Sequence, residues 1–354
     1  EIQIKAPTVK SIISFAIPAI GIWLCSPLLS LIDTGAVGML SGTAQQAALN
    51  PAITITDDGS LLVSFMFTAS TNLVAAAYES DRVCGKKDRA PIVITLLQLS
   101  LIVGIIFGLG LSISSTFSIK ALLGKGKNID QEVLAAAEQY VRIRAMGMPA
   151  TVLTGVAQSA CLGMKDTTSP LIVMLTAAFI NFVGDLVFVG RAGAAGAAMA
   201  TVLSQYAALA MFLQFLRCIP SKDEGNESSS RGILHQKFRT RDFFREAKCK
   251  RTVKEVAKFF VPVTTTAIGR VSGYIAMSHV VSSAFGTIDM AAQQIVLSFF
   301  LCFIPMCDSL NLTAQSFVPG IFHRKIMLRQ MKMRNGGVVV RTGMLPFTYL
   351  HAHI

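Results

Sequence analysis

The chain has 354 residues, of which 52% are hydrophobic and 15% are charged, and its mean hydropathy is +0.57. Soluble domains carry roughly 25% charged residues, so this composition excludes an ordinary soluble domain and indicates a membrane protein. The net charge of +12 comes from two segments, 217–254 with 11 Lys/Arg and 5 acids, and 321–354 with 6 Lys/Arg and no acid. The rest of the chain is balanced, so we expect these segments to meet anionic lipid headgroups and not nucleic acid.

Long apolar runs recur along the chain and predict an all-α membrane protein. In chain order they indicate about eight transmembrane helices, at 9–32, 47–77, 90–113, 133–162, 170–189, 194–216, 253–283 and 289–319. The 7 cysteines and 5 histidines show no CxxC, HExxH or other metal-ligand spacing. We therefore predict no bound metal, no organic cofactor and no enzymatic activity.

Lys/Arg residues in the connections predict the orientation of the helices. The connections after the second, fourth and sixth helices contain Lys or Arg, whereas those after the first and seventh contain neither. Basic connections face the cytoplasm or the equivalent compartment, so the N-terminus is predicted on that side. Lys120, Lys125 and Lys127, between the third and fourth helices, are an exception.

An internal repeat predicts two lobes of the same orientation. A shift of 244 residues aligns 9–49 with 253–293 without gaps at 9 identities in 41 positions, which include Pro18 with Pro262 and Gly42-Thr43 with Gly286-Thr287. Parallel repeats of this type occur in two-lobed secondary transporters. The predicted domains are a complete six-helix N-lobe (1–216), a basic cytoplasmic loop (217–252), the first two helices of a C-lobe (253–320) and an atypical basic tail (321–354).

Four polar residues are predicted to share the outer half of the N-lobe. Asp185 lies inside the apolar run 171–190, with Asn181 one helical turn before it on the same face. Asp33 is placed at the outer end of the first helix, above Pro18 and Pro27, and Thr201 about two turns into the sixth. Neighbouring carboxylates in low dielectric repel, so the pair can hold a proton or small cation and release it when water enters. The alternative is that Asp33 only ends its helix and that Asp185 only bonds a neighbouring hydroxyl.

Other polar residues are weaker candidates for a solute cavity. The adjacent acids Asp57 and Asp58 form no DDxxD motif, and Asp57 is expected to line the cavity or cap a break. Arg142 and Arg144 are expected to anchor at the membrane interface. The remaining cavity candidates are Arg270, Asp308, Gln293, Gln294 and Gln315. Direct pairing of Arg270 with Asp308 is not expected, and the glutamines could equally well only bind neighbouring helices.

Several stretches resemble the multidrug and toxic compound extrusion (MATE) family, the plant DETOXIFICATION proteins in particular. They are "IPAIGIWLCSPLLSLIDTGAVG" (17–38), "TNLVAAA" (71–77), "QYVRIRAMGMPA" (139–150), "VAQSACLGMKDTTSPL" (156–171), "GAAGAAMATVLSQ" (193–205), "AAQQIV" (291–296) and "LTAQSFVPG" (312–320). The variant "SPLLSLIDT" resembles a chloroplast-envelope branch that exports phenolic acids such as salicylate.

The resemblance implies antiport of small organic solutes, phenolic or organic acids or xenobiotics, in exchange for H⁺ or Na⁺ by alternating access. It implies a coupling-ion site at Asp33, Asn181, Asp185 and Thr201, and a monomer in the lipid bilayer. The membrane would be the chloroplast envelope, or otherwise the plasma membrane or vacuole. The family has twelve helices, and the likeness ends near Gly320. The alternative is therefore a truncated, non-transporting membrane protein that at most associates with a full-length transporter.

Overall fold

The computed structural model describes residues 8–84, 89–123, 131–218, 250–304, 308–319 and 321–322. Every regular element within these ranges is a helix, so the predicted all-α fold class is confirmed. Nearly all of the predicted basic loop and of the tail lies outside the described residues, as do Lys125 and Lys127.

The described residues up to Gly163 form five α-helices and two short irregular turns. The helices are α1 (Val9–Ser41), α2 (Thr43–Ile53), α3 (Ser64–Cys84), α4 (Arg89–Leu123) and α5 (Gln131–Gly163). Between α2 and α3 the chain forms a π-helical turn, Thr54–Asp58, and a short 3₁₀ turn, Leu61–Val63. Together α2, the π turn and α3 form the predicted second crossing.

The fifth and sixth predicted crossings form one helical run, Thr168–Cys218, interrupted only at Gly193. Gly193 has φ 59° and ψ −138°, a left-handed conformation that glycine adopts without the steric cost of a Cβ atom. We call the two parts α6 (168–192) and α7 (194–218). The chain continues with α8 (Lys250–Ala284), α9 (Thr287–Leu301) and α10 (308–319).

Within the described residues, four helical segments are long and apolar enough to cross a membrane by length and composition: Val9–Ser41, Thr43–Asp81, Ala90–Leu123 and Thr168–Leu216. Large apolar side chains also face outward on these segments; Ile113 and Phe117 on α4 are 84% and 78% exposed. Lipid covers such surfaces in an integral membrane protein, whereas in water large exposed apolar surfaces promote aggregation. The chain is an integral membrane protein.

Several helices are longer than predicted. α1 continues to Ser41, nine residues past the predicted end, and α4 continues to Leu123, ten past it. α1 also runs through Pro18 and Pro27 as one helix. The predicted eighth helix is divided into α9 and α10 around 302–307.

The described helix boundaries agree with the internal repeat. Gly42 separates α1 from α2, and Gly286, at the equivalent position after a shift of 244, precedes α9. Pro18 in α1 likewise corresponds to Pro262 in α8. α8 packs on α3 and α4, and α9 packs on α2 and α1. The division into two lobes remains a prediction.

Glycines allow α4 and α5 to approach closely. A Cβ atom built on Gly108 would lie 2.6 Å from the carbonyl oxygen of Ala145, and one on Gly104 would lie 2.8 Å from Cα of Pro149. The two glycines are four residues apart, the spacing at which small residues bring helix backbones together in membranes. This contact places α5 beside the π turn and α6, where the polar residues of the N-terminal half lie.

Candidate functional site

A buried amide joins two carboxylates from different helices. Asn181 Nδ2 on α6 donates to Asp33 Oδ1 on α1 over 2.9 Å, and to Asp185 Oδ2 one turn further along α6 over 3.3 Å. Asp33, Asn181 and Asp185 are 8%, 0% and 1% exposed. We call these three residues the acidic cluster. Three of the four residues predicted for the coupling site therefore lie together.

The simpler interpretations of the two acids are wrong. Asp33 does not end its helix, because α1 continues for two more turns to Ser41. Asp185 bonds an amide and not a hydroxyl. Two buried carboxylates that share one amide donor repel each other when both are ionised, and a bound proton or cation would relieve that repulsion.

Thr201, the fourth predicted residue, lies on α7 and is half-buried. Its hydroxyl donates to the carbonyl of Ala197 on its own helix over 2.9 Å, and within the described chain it makes no hydrogen bond to the acidic cluster. The oxygen lone pairs of this hydroxyl remain available, so it could still accept a bond or contact a cation.

The expectation that Arg144 anchors at the membrane interface is wrong. Arg144 is 3% exposed and forms an ion pair with Asp57 in the π turn. Of the two arginines, Arg142 faces outward: its side chain is 59% exposed and forms an ion pair with Glu138, one turn earlier, over 2.5 Å. Residues two apart on a helix point about 200° away from each other, so the "RIR" spacing already indicated that only one arginine could face outward.

Asp57 lies at an irregular point of the second crossing, as expected of a residue at a break. Its side chain is 42% exposed, and the hydroxyl of Ser60 donates to its backbone carbonyl over 2.6 Å. π turns are rare and are frequent at functional sites, because they add a residue to the helix and turn side chains to new directions. The ion pair thus connects a buried charge on α5 with a half-exposed charge on the π turn.

Asp58 faces α8. The residue is 7% exposed, and Oδ2 of its carboxyl has no hydrogen-bond partner among the described residues. One turn earlier, the hydroxyl of Thr54 lies 3.0 Å from that of Ser278 on α8. Sequence reasoning treated Asp58 only as a neighbour of Asp57 and missed that the two acids face different helices.

The predicted cavity residues of the last helices have different environments. Gln294 is 1% exposed and donates to Thr34 on α1 over 3.5 Å and to Ser298 over 3.3 Å, so it binds a neighbouring helix. The amide of Gln293 has buried atoms without a partner in the described chain, and Gln315 is half-buried. Arg270 is exposed and forms no ion pair with Asp308 in the described structure, although both lie within electrostatic range of Tyr274.

Comparison with known proteins gives the family of this fold. The MatE family model matches residues 18–187, a range that contains Asp57, Arg144 and the whole acidic cluster. This part of the chain is similar to the MATE family. The family is one of transporters and not of enzymes. No group of three or more His, Cys, Asp or Glu residues suited to a metal ion occurs among the described residues.

Two plant MATE relatives from Arabidopsis thaliana match most of the chain. DETOXIFICATION 47, chloroplastic, is 30% identical over 317 residues, which are 89% of this chain and 53% of the relative. DETOXIFICATION 44, chloroplastic, is 29% identical over 87% of this chain and 56% of the relative. The chain spans about half the length of the curated relatives it matches.

The fold is also that of solved MATE structures. The structure of the MATE multidrug transporter DinF-BH in complex with a rhodamine dye superposes with a TM-score of 0.74 at 16% identity. The match covers 93% of this chain and 69% of that one. At this identity the likeness concerns the fold.

Proposed function

We propose that this protein takes part in secondary active antiport, exporting small organic solutes in exchange for H⁺ or Na⁺ by alternating access. The solutes are phenolic or organic acids or xenobiotics. The acidic cluster is the single observation that supports this most, because two buried carboxylates held by one amide have little structural value unless an ion neutralises them. By similarity to the chloroplastic relatives we propose the chloroplast envelope, with the plasma membrane or vacuole as alternatives, and a monomer.

In this proposal each residue of the N-terminal half has one role. Asp33 and Asp185 hold the coupling proton or cation, and Asn181 keeps the two carboxylates at a fixed separation while donating to both. Thr201 supplies a further oxygen from α7 when the helices move. Asp57, Arg270, Gln293, Asp308 and Gln315 are the proposed solute-facing residues, whereas Gln294 binds α1. No organic cofactor takes part.

Flux measurements on the purified chain in liposomes test the proposal. Liposomes loaded with a cationic rhodamine dye, or in a parallel set with salicylate, are transferred to a buffer more acidic than the lumen. Solute should leave faster than from protein-free liposomes, and a proton ionophore should abolish the difference. A sodium gradient at constant pH identifies the coupling ion.

Release that is indifferent to both gradients for both solutes would contradict antiport by this chain. That result would favour the alternative, a protein that does not transport by itself and at most associates with a full-length transporter. Adding a full-length relative to the same liposomes would then show whether this chain changes the relative's flux.

A further inference from the structure

Unpaired hydrogen-bonding atoms occur on Arg144 and within the acidic cluster. On α5, Nε and Nη1 of Arg144 are buried and have no partner among the described residues. On α6, Oδ1 of Asn181 and Oδ1 of Asp185 are buried and have no partner in the described chain either. Donors without acceptors thus lie in the same half of the molecule as acceptors without donors. Each such atom is costly to bury, and the two sets would satisfy each other.

These atoms share one electrostatic neighbourhood. The Arg144 guanidinium interacts with Asp57 and with Asp33, and the Tyr140 hydroxyl on α5 senses Arg144, Asp57, Asp33 and Asp185 together. The titratable and charged groups facing this region from the packed elements are Asp33 on α1, Asp57 and Asp58 on the π turn, Tyr140 and Arg144 on α5, Asp185 on α6, and Tyr274 on α8, next to Asp58.

We propose that Arg144 is a positioning residue with two alternative partners. It pairs with Asp57 when the acidic cluster holds its proton or cation, and it turns to the cluster carboxylates when the cluster is empty. The structure contains the first arrangement, with the ion pair to Asp57 formed. We call this exchange of partners the arginine relay. It rests on the proposed function, since it assumes that the cluster loads and unloads an ion.

The arginine relay changes the charge that Asp57 presents. With Arg144 on the cluster, Asp57 is a bare carboxylate on the more open side of the π turn, where its side chain is 42% exposed. It can then hold the positive group of a solute. Loading the cluster removes negative charge from it, Arg144 returns to Asp57, and the solute loses its partner.

This sequence of partners selects the charge of an exchanged solute. A cation is bound when the cluster is empty and displaced when it is loaded, which is exchange. An organic acid bound at Arg144 would be favoured when the cluster is loaded, and ion and solute would then travel together. The arginine relay therefore applies to the positively charged xenobiotics among the proposed solutes.

Binding of the cationic rhodamine dye to the purified full chain, followed by fluorescence polarisation in mildly basic and mildly acidic buffer, tests the arginine relay. In the unsubstituted protein, acid should weaken binding at least about fivefold. Arg144→Gln leaves Asp57 uncovered at either pH, so binding should stay strong in acid. Asp57→Asn should weaken binding in basic buffer to the level that the unsubstituted protein shows in acid.

Arg142→Gln is the matched control, because Arg142 lies two residues away on α5 and its side chain is 59% exposed. It should leave the pH response unchanged. The exchange Asp57→Arg with Arg144→Asp restores a pair but puts the positive charge on the open side. Its thermal stability should recover relative to the single variants, while the pH response stays absent.

The arginine relay is wrong if folded Arg144→Gln keeps the full pH response, if the exchanged pair restores it, or if the dye does not bind the unsubstituted protein at either pH. If gradient-driven flux is observed together with any of these results, the proposed antiport remains supported and only the arginine relay is contradicted. If gradient-driven flux is absent but the pH response of dye binding depends on Arg144, antiport by this chain is contradicted and the arginine relay is supported.

Discussion

Asn181 is the residue on which the geometry of the acidic cluster depends. A primary amide has two N–H donors, and Nδ2 of Asn181 directs them to carboxylates on two helices. The amide therefore fixes the spacing of Asp33 and Asp185 without adding charge. A leucine of similar volume would leave both acids without a donor, and a third acid would add to their repulsion.

Replacing Asp185 by Asn removes the titratable group and nearly preserves its volume. Because the amide can still bond Asn181, we expect the variant to insert and elute like the unsubstituted protein. Gradient-driven release should fall to the level measured with the ionophore, and Asp33→Asn should behave in the same way. Asn181→Ala should only weaken coupling, since hydrogen bonds between membrane helices average about 0.6 kcal/mol.

Near-normal release by folded Asp185→Asn would exclude the acidic cluster as the coupling site. Asp308 is then the next acid to substitute, because it lies in the C-terminal part of the described chain.

At the scale of whole elements, close packing of α4 on α5 holds the site together. Gly104 and Gly108 bring α4 into direct contact with the α5 backbone. α5 in turn carries Arg144 and Tyr140 and packs on α6. A change that separates α4 from α5 would therefore shift the guanidinium relative to both of its proposed partners.

Gly108→Ala should destabilise the protein, because the new methyl group would lie 2.6 Å from the carbonyl oxygen of Ala145. Overpacking of this kind costs typically about 1–3 kcal/mol. Gly110→Ala is the control on the same helix, since nothing lies within 4 Å of a Cβ atom there. Thermal unfolding in one detergent compares them; equal melting temperatures would show that α4 and α5 can separate at no cost.

Sequence reasoning placed the helices well and their ends poorly. Hydropathy reports where a chain enters lipid, whereas helix α4 continues through polar residues such as Ser112 and Ser115 to Leu123. The π turn could not be predicted either, because the same run of residues is compatible with α-helical and with π-helical backbone. Asp33, Asn181 and Asp185 could be predicted, since acids and amides inside apolar runs are few. The partner of Arg144 could not, because it depends on how α5 rotates against the π turn.

At the scale of the whole molecule, the orientation of the chain in the membrane decides which side the acidic cluster faces. The Lys/Arg distribution predicts that the N-terminus and the basic loop lie on the cytoplasmic side. Asp33 and Asp185 are then nearer to the opposite side, where the coupling ion would enter in an exporter.

The sequence offers a reporter of this orientation. Asn226, in the basic loop and outside the described residues, starts the acceptor motif "NES". Translation in the presence of microsomes should leave Asn226 without a glycan, because the predicted loop does not enter the lumen. A shift in mobility that disappears with Asn226→Gln would invert the orientation.

The buried arginine also has a consequence for how the protein is made. α5 is not among the segments apolar enough to cross a membrane by themselves, and it carries Glu138, Arg142 and Arg144 within two turns. During synthesis each charge near the centre of a nascent helix costs about 2.5–3.5 kcal/mol on translocon-insertion scales. We therefore expect α5 to leave the translocon only after α4 has packed on it through Gly104 and Gly108 and Asp57 has neutralised Arg144. The ion pair is then required for assembly of the protein in the membrane, before any solute is transported.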